Sequence, residues 1–204
     1  MNQQPILVPF VERQDLTDQC IALINEEWPK SETVRRMSLE KSANNDPPMA
    51  FVLMSADKED LLGYARFLHV FNYNDNAALF DTVVIRKSLR GQGLGKLLMD
   101  LLKEEAKCRG YKLLVLCTVD KEAFYEKCGY TRCKFLNLIT HKLNATSEKL
   151  ATSMNFNRPI PLNEIDKFDL PVSSPTSTSS VPLPPPPLNK LAGYKEEKYL
   201  FCYI

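Results

Sequence analysis

Hydrophobic residues recur along this chain with two periods, one typical of strands and the other typical of helices. Runs rich in β-branched and aromatic residues, which predict strands, occupy residues 6–12, 50–55, 61–70, 78–85, 112–117 and 130–138. Apolar stripes at helical spacing begin near Asp15, Lys30, Leu94 and Thr118. The resulting order is strand, two helices, three strands, helix, strand, helix and strand. This order predicts a chain of mixed α and β elements (α/β or α+β).

The last third of the chain departs from this pattern. Residues 173–180 consist of Ser, Thr and Pro, and the run 181–188 contains enough proline to favour polyproline II over helix or sheet. The final residues, 198–204, alternate aromatic and apolar side chains as a strand does. We therefore predict a folded core, a flexible Ser/Pro-rich insertion, and a C-terminal strand that returns to the core sheet. Their expected bounds are 1–138, 139–194 and 195–204.

Composition narrows the classes of function. The 204 residues are 44% hydrophobic and 25% charged with a formal net charge of +1, so no general affinity for nucleic acid or for a membrane surface is expected. The first residues lack the basic segment and apolar run of a secretory signal, and no apolar run reaches about 18 residues. We expect a protein of the cytosol or nucleus and assign it to the cytosol. Six cysteines without a CxxC spacing and two histidines predict reduced thiols and no metal site.

The clearest chemistry lies at 86–99, where an apolar strand passes through a basic, glycine-containing turn into an amphipathic helix. The first turn of a helix has N–H groups without partners, and glycines allow a ligand to approach them closely, so this turn predicts an anion site. Neither GxxxxGK[ST] nor GxGxxG is present. The remaining pattern is Arg90-x-x-Gly93-x-Gly95. Taken alone, it is also compatible with an ordinary glycine turn before a helix.

This turn pattern resembles the pyrophosphate-binding signature of the GNAT superfamily of acetyl-CoA-dependent N-acetyltransferases. A second segment, Phe-Tyr-Glu-Lys-Cys-Gly-Tyr at 124–130, resembles the end of that family's fourth helix, and the predicted order of elements is the family's order. The resemblance covers residues 6–138 and, after a gap, the tail. It implies the GNAT acyl-CoA N-acyltransferase fold, with a mixed central sheet flanked by helices and a long proline-rich insertion before the last strand. The implied cofactor is acetyl-CoA.

The same resemblance implies the cofactor contacts. The backbone at the end of the fourth strand would pair with the pantetheine arm, the glycine turn would hold the pyrophosphate, and the acyl end would lie between two splayed parallel strands. Tyr125 would stand beside the sulfur, where a phenol can donate to the departing thiolate; the alternative is a core aromatic. Thr118 replaces an asparagine that is common among relatives. The implied cofactor residues are Val83, Val84, Ile85, Arg90, Gly91, Gln92, Gly93, Leu94, Gly95, Lys96, Thr118, Lys121 and Tyr125.

The acceptor in this superfamily is an amine, which must be neutral to attack. An α-amino group has a pKa of about 8 and a lysine about 10.4, so near pH 7 roughly a tenth of the former and under a thousandth of the latter is neutral. An N-terminal acceptor therefore needs only a weak base. Asp81 on the fourth strand is a candidate for that role, and His69 on the preceding strand is another. The alternative for each is a polar residue at a strand edge.

A basic cluster, Lys30, Arg35 and Arg36, follows the first helix in the region that walls the acceptor groove of this superfamily. Guanidinium groups pair with carboxylates in a bidentate manner, so the cluster favours an acidic acceptor; a solvated helix face is the alternative. Segments 23–39 and 81–93, with the proline-rich insertion, resemble the animal acetyltransferases that act on the N-terminus of actin. This resemblance implies that the acceptor is the acidic, processed N-terminus of actin and that the proline run binds profilin. The implied acceptor residues are Trp28, Lys30, Arg35, Arg36, Met37, Ser38 and His69, with Trp28 also shaping the catalytic pocket beside Tyr125 and Asp81.

Three other functions stay open at this point. The acceptor could be another acidic protein N-terminus. An enzyme that acetylates small polyamines or drug amines would need acidic side chains around its acceptor site to bind a cationic substrate, and the basic cluster does not provide them. A binding module built on the proline run alone would require a damaged cofactor turn, whereas Arg90, Gly93, Gly95 and Tyr125 are all present.

Overall fold

The computed structural model describes residues 4–71, 73, 76–133, 138, 140 and 198–204. Its strands form one seven-stranded sheet. The strands are β1 (Ile6–Pro9), β2 (Met49–Met54), β3 (Leu61–Val70), β4 (Ala77–Ile85), β5 (Leu113–Thr118), β6 (Thr131–Cys133) and β7 (Lys198–Tyr203). The helices are α1 (Thr17–Asn25), α2 (Glu32–Glu40), α3 (Leu94–Cys108) and α4 (Glu122–Lys127). This order of elements confirms the prediction from hydrophobic periodicity.

The sheet is mixed, as expected. Strands β1 to β4 form successive antiparallel pairs, β4 and β5 are parallel, and β7 lies between β5 and β6 as an antiparallel partner of both. The segment at the end of the chain thus pairs with the sheet. The predicted insertion at 139–194, including the polyproline run 181–188, lies almost entirely outside the described residues, so the three predicted parts and their bounds stay predictions.

Helices cover both faces of the sheet. On one face, Leu23 and Ile24 of α1 and Leu39 of α2 pack with Val52 and Tyr64. On the other face, apolar side chains of α3 and α4 pack with β3, β4 and β5; the α3 residues in this cluster are Leu98, Met99, Leu102 and Ala106. These four side chains are at most 1% exposed, and burying one large apolar side chain contributes about 2 kcal/mol to stability. The two packed faces hold the sheet rigid around its centre.

A bulge in β4 opens the sheet at that centre. Tyr64 pairs with Val84 and Arg66 pairs with Asp81, so β4 carries one more residue than β3 over this interval. Thr82 accommodates it with a φ of 57°, in the left-handed region that non-glycine residues seldom adopt. Strand β5 pairs only with Ala77, Ala78 and Leu79 of β4. Beyond them the two parallel strands separate and leave a gap beside residues 80–85.

Several predicted boundaries were wrong by a few residues. The first strand ends at Pro9 because residues 10–12 form a 3-10 turn that buries Phe10 against Tyr64. Helix α1 begins at Thr17, and Asp15 does not cap it, because the Asp15 carboxylate is paired with Arg13. Helix α4 begins at Glu122 rather than at residue 118 or 120. Strand β6 is described only to Cys133, and the rest of the predicted strand to residue 138 lies mostly outside the described residues.

None of the helices in the described part of the chain has the length and apolar character needed to cross a membrane. The six cysteines all lie within the described residues and form no disulfide.

Candidate active site

The turn between β4 and α3 presents unpaired backbone donors. Gly91 and Gly93 have φ values of 80° and 84°, which favour glycine, and a Cβ at either position would meet nothing within 4 Å. The first amide that donates back into the turn is that of Leu97, to the carbonyl of Gly93 at 3.1 Å. Among the described residues, the N–H groups of 91–96 have no acceptor. The turn is therefore an open cradle of donors at a helix N-terminus, which suits an anion.

The two basic side chains of this turn are already paired with carboxylates. Arg90 donates to Glu27 at 2.9 Å and to the carbonyl of Ile85 at 3.1 Å. Lys96 donates to Asp100 at 2.6 Å, one helical turn away. Both pairs are on the surface, where ion pairs are weak, so a polyanionic ligand can displace the two carboxylates.

Gly95 serves packing rather than ligand approach. A Cβ at this position would lie 3.2 Å and 3.3 Å from two ring carbons of Phe124. The absence of a side chain thus lets α4 approach the first turn of α3. The glycines of this turn therefore meet two different needs: Gly91 and Gly93 leave the backbone donors open, and Gly95 allows the two helices to pack.

The gap between β4 and β5 provides backbone groups for a ligand that extends from the turn. Val84 and Ile85 pair with Tyr64 and Gly63 of β3 on one side. On the other side, strand β5 has already diverged, and no described strand pairs with 80–85 there. The predicted backbone contacts of Val83, Val84 and Ile85 thus lie at an open strand edge, beside the predicted cradle residues Gln92 and Leu94.

Tyr125 lies on α4 among aromatic rings. Its ring centroid is 5.0 Å from that of Phe124 and 6.1 Å from that of Tyr130. Burial raises the pKa of its phenol to about 12, so the hydroxyl stays protonated at neutral pH and is a donor. The two other predicted residues of this region form the turn before α4: the Thr118 hydroxyl accepts from the Lys121 amide at 3.2 Å, and Lys121 pairs with Asp120.

On the opposite face of the sheet, Asp81 forms an ion pair with Arg66 across β3 and β4. Its second carboxylate oxygen accepts a hydrogen bond of 3.0 Å from Thr82. Arg66 also donates to the hydroxyl of Ser38 on α2 at 3.0 Å. Asp81 thus lies just beyond Leu79, the last residue of β4 that pairs with β5, and both of its carboxylate oxygens already have partners.

The loop at 26–31 is fastened to α2 through Arg35. The Arg35 guanidinium donates to the side-chain oxygen of Asn25 at 3.1 Å and to the carbonyl of Trp28 at 2.6 Å. Asn25 also bonds to both backbone groups of Lys30. Arg35 is 6% exposed, and this burial lowers its pKa. Arg35 therefore shapes the loop that carries Trp28 and Lys30, whether or not it also contacts an acceptor.

The other predicted acceptor residues differ in their surroundings. Arg36 pairs with both Asp18 and Glu32, at 2.6 Å and 2.9 Å, so two carboxylates offset its charge. Trp28 and Met37 are exposed, as is the intervening Val34. They form an apolar rim on the loop and the outer side of α2.

The structure does not bring His69 to this groove. It pairs with Ala78 in the sheet, where β4 and β5 are still joined, and its Nδ1 lies 3.0 Å from the hydroxyl of Tyr111. Alternation along β3 places it on the face of Phe67, which α3 covers. Burial lowers its pKa. A role as acceptor contact or base finds no support in this position.

Two residues near the site were missed by the sequence analysis. Arg66 is the one arginine, lysine or carboxylate in the mainly apolar strand 61–70, and this isolated charge is visible in the sequence. Glu27 leaves no such signal, because its partner Arg90 is 63 positions away along the chain.

The sequence pattern of the Acetyltransferase (GNAT) family matches residues 17–130. The chain belongs to this family. Mouse N-alpha-acetyltransferase 80 is 33% identical over 184 residues, which cover 86% of this chain and 57% of the mouse protein. Glucosamine 6-phosphate N-acetyltransferase of Arabidopsis thaliana is 39% identical over 54 residues, or 26% of this chain and 36% of that protein. The chain thus spans little more than half of the longer relative and about a third of the other.

Solved structures with low sequence identity share the GNAT fold. Rv2747 from Mycobacterium tuberculosis, in complex with CoA, superposes with a TM-score of 0.56 at 12% identity, covering 98% of this chain and 99% of that one. An acetyltransferase from Bacillus subtilis, also in complex with CoA, gives 0.54 at 14% identity with the same coverage. The expected fold is confirmed, and the cofactor of this family is acetyl-CoA. The open donor cradle at 91–96 and the unpaired edge of β4 fit that cofactor's pyrophosphate and pantetheine arm.

Proposed function

We propose that this GNAT protein transfers the acetyl group of acetyl-CoA to the α-amino group of an acidic protein N-terminus, and that the acceptor is the processed N-terminus of cytosolic actin. The observation that carries the proposal is the arrangement of the sheet's central gap. The glycine turn at 91–96 follows the open edge of β4, and on the face of the sheet that α1 and α2 cover, the guanidinium groups of Arg66 and Arg35 hold Ser38 of α2 and the loop that carries Trp28. The similarity to mouse N-alpha-acetyltransferase 80 supports the choice of an α-amino acceptor.

The proposed reaction assigns a role to each side of the gap. Acetyl-CoA supplies a thioester whose acyl carbon forms a bond to the acceptor nitrogen while the carbon–sulfur bond breaks. Tyr125, whose phenol is protonated at neutral pH, would donate a hydrogen bond to the departing sulfur. The acceptor nitrogen loses its proton to water or to Asp81. Since Asp81 already accepts from Arg66 and Thr82, its role as the base stays a prediction.

The surface around the groove favours a macromolecular acceptor. Trp28, Val34 and Met37 expose 44%, 52% and 51% of their surface within a short segment. An apolar rim beside a charged groove is typical of a protein-binding surface. Lys30 adds a positive charge on the same loop. A folded substrate that presents an acidic N-terminal segment suits this combination better than a small amine does.

We also propose that the run Val181–Leu188 binds profilin, so that the profilin–actin complex is the substrate. The support for this step is the sequence alone: four consecutive prolines, preceded by Pro-Leu and followed by Leu, favour polyproline II, which aromatic grooves recognise. The test is transfer of labelled acetyl from acetyl-CoA to unacetylated actin, alone and in complex with profilin, with the acetylated position located by mass spectrometry.

We expect acetyl on the N-terminal residue and faster transfer to the complex. Replacing Pro184–Pro187 by alanine in the full chain should remove the advantage of the complex and leave the rate on actin alone unchanged. Acetyl on internal lysines would contradict the proposed acceptor. An equal rate with and without profilin would contradict the proposed role of the proline run.

A further inference from the structure

Arg66 is a charged residue in the middle of a buried strand. Its neighbours in β3, Ala65 and Phe67, are at most 1% exposed. Removing an arginine from water costs free energy unless the guanidinium is paired with a carboxylate or hydrogen-bonded. Tyr64 packs under α1 and α2, whereas Ala65 and Phe67 pack under α3. Because side chains alternate along a strand, Arg66 points toward α2. Its hydrogen bond to Ser38, which lies on α2, is consistent with this direction. Its register partner, Asp81, lies just past the last residues of β4 that pair with β5.

The Arg66 guanidinium is held in place by two elements but is not saturated. Asp81 on β4 and Ser38 on α2 accept from its two terminal nitrogens. A guanidinium has five N–H donors; each terminal nitrogen of Arg66 has one partner among the described residues and so one N–H to spare, whereas the Nε is buried and unpartnered. About a quarter of the side chain, 26%, is exposed. A fixed, partly exposed fork with spare donors is well suited to bind a carboxylate.

The local charge is also unbalanced. Burial lowers the pKa of Arg35, and the positive charge of Arg66 lowers it further, while Tyr64 and Asp81 act in the opposite direction. Among the described residues, Arg66 has Asp81 as its one carboxylate partner, and Arg35 has none, because it donates to the neutral oxygens of Asn25 and Trp28. Arg36 does not contribute to this excess, since Asp18 and Glu32 both pair with it. An additional carboxylate from the acceptor would balance the charge.

We infer that Arg66 is a specificity-determining residue of the acceptor groove, which binds an acidic side chain of the acceptor, and that Asp81 and Ser38 are positioning residues that fix its guanidinium. This inference rests on the proposed function and adds a residue to its site. It also gives Asp81 a purpose other than proton transfer.

The test measures kcat/KM for two peptides with free N-termini, one beginning Asp-Asp-Asp and one beginning Ala-Ala-Ala, with the full chain. Arg66→Met should lower the ratio of acidic to neutral turnover by about ten- to a hundredfold, the range of a lost charged hydrogen bond. Arg66→Lys should lower it less, because the ammonium keeps the charge without the planar fork. The matched control is Arg132→Met, which removes another strand arginine paired with one carboxylate, Glu126, and should keep the wild-type ratio.

The outcomes separate the inference from the proposed function. If the wild type transfers acetyl to neither peptide, the proposed function fails and the inference fails with it. If the wild type transfers but its ratio is near one, the acidic groove is contradicted while N-terminal acetylation stands. If the wild-type ratio is high and both Arg66 variants retain it, Arg66 does not bind the acceptor. A merely structural role would lower both rates together and leave the ratio unchanged, and CoA titration of each variant confirms that it has folded.

Discussion

At the scale of single residues, burial prepares Tyr125 for its proposed role. An unperturbed tyrosine has a pKa of about 10, and burial among aromatic rings raises the pKa of Tyr125 to about 12. Its donating form therefore persists through the pH range in which an α-amino group becomes neutral. Because the folded-state pKa is above the unfolded one, the stability that this group contributes is complete below about pH 10 and is lost as the pH rises through 12.

Replacing Tyr125 by phenylalanine tests this role. We expect kcat to fall by about a hundredfold, the lower range for a lost proton donor, with little change in the affinity for CoA. The wild-type rate should rise with pH as the acceptor amine loses its proton and should not decline between pH 8 and 10. Tyr130→Phe is the matched control, since that buried hydroxyl has no partner among the described residues. A Tyr125→Phe enzyme with wild-type kcat would contradict the assignment.

At the scale of elements, the loop at 26–31 joins the two halves of the site. Glu27 pairs with Arg90 of the cofactor turn, and the Glu26 carbonyl accepts from Lys87 at 2.6 Å. At its other side, the loop is held by Arg35 of α2. Cofactor phosphate and Glu27 would therefore compete for Arg90, and the loop links that competition to the acceptor groove.

The variant Glu27→Gln isolates this competition. It removes the carboxylate that occupies Arg90 and one negative charge near the phosphates, so we expect CoA to bind about two- to fivefold more tightly, as for a surface ion pair. Calorimetric titration with CoA measures the change without any acceptor, and the fluorescence of Trp28, the one tryptophan in the chain, reports the loop. Glu104→Gln, whose partner Lys107 lies near the other end of α3, is the control. Unchanged or weaker binding by Glu27→Gln would show that the pair does not compete with the cofactor.

Hydrophobic periodicity predicted the order of elements because each strand or helix buries one face, and the residues on that face recur at a fixed spacing. Leu98 and Leu102 are examples on α3. The glycine turn was predictable for a similar local reason. The loop at 26–31 was not, because the contacts that hold it come from Asn25 and from Arg35 on the next helix. Nor could the sequence show that Arg90 is occupied by Glu27 or that His69 faces α3. Those facts depend on register and on partners distant in the chain.

At the scale of the whole molecule, the near-neutral net charge of +1 conceals a local imbalance. Carboxylates neutralise Arg36, Arg90 and Lys96, whereas among the described residues Arg66 has Asp81 alone and Arg35 has no carboxylate partner. The fold thus concentrates unbalanced positive charge on the acceptor side of the central gap.

The most direct test of this account is acetyl transfer from labelled acetyl-CoA to a small peptide panel. The panel contains Asp-Asp-Asp and Glu-Glu-Glu with free N-termini, a neutral N-terminus, and an N-terminally blocked peptide with an internal lysine. The account predicts turnover of the two acidic N-termini well above the others, with the label on the α-nitrogen. Equal turnover of the neutral peptide, or transfer to the lysine, would contradict an acidic α-amino acceptor.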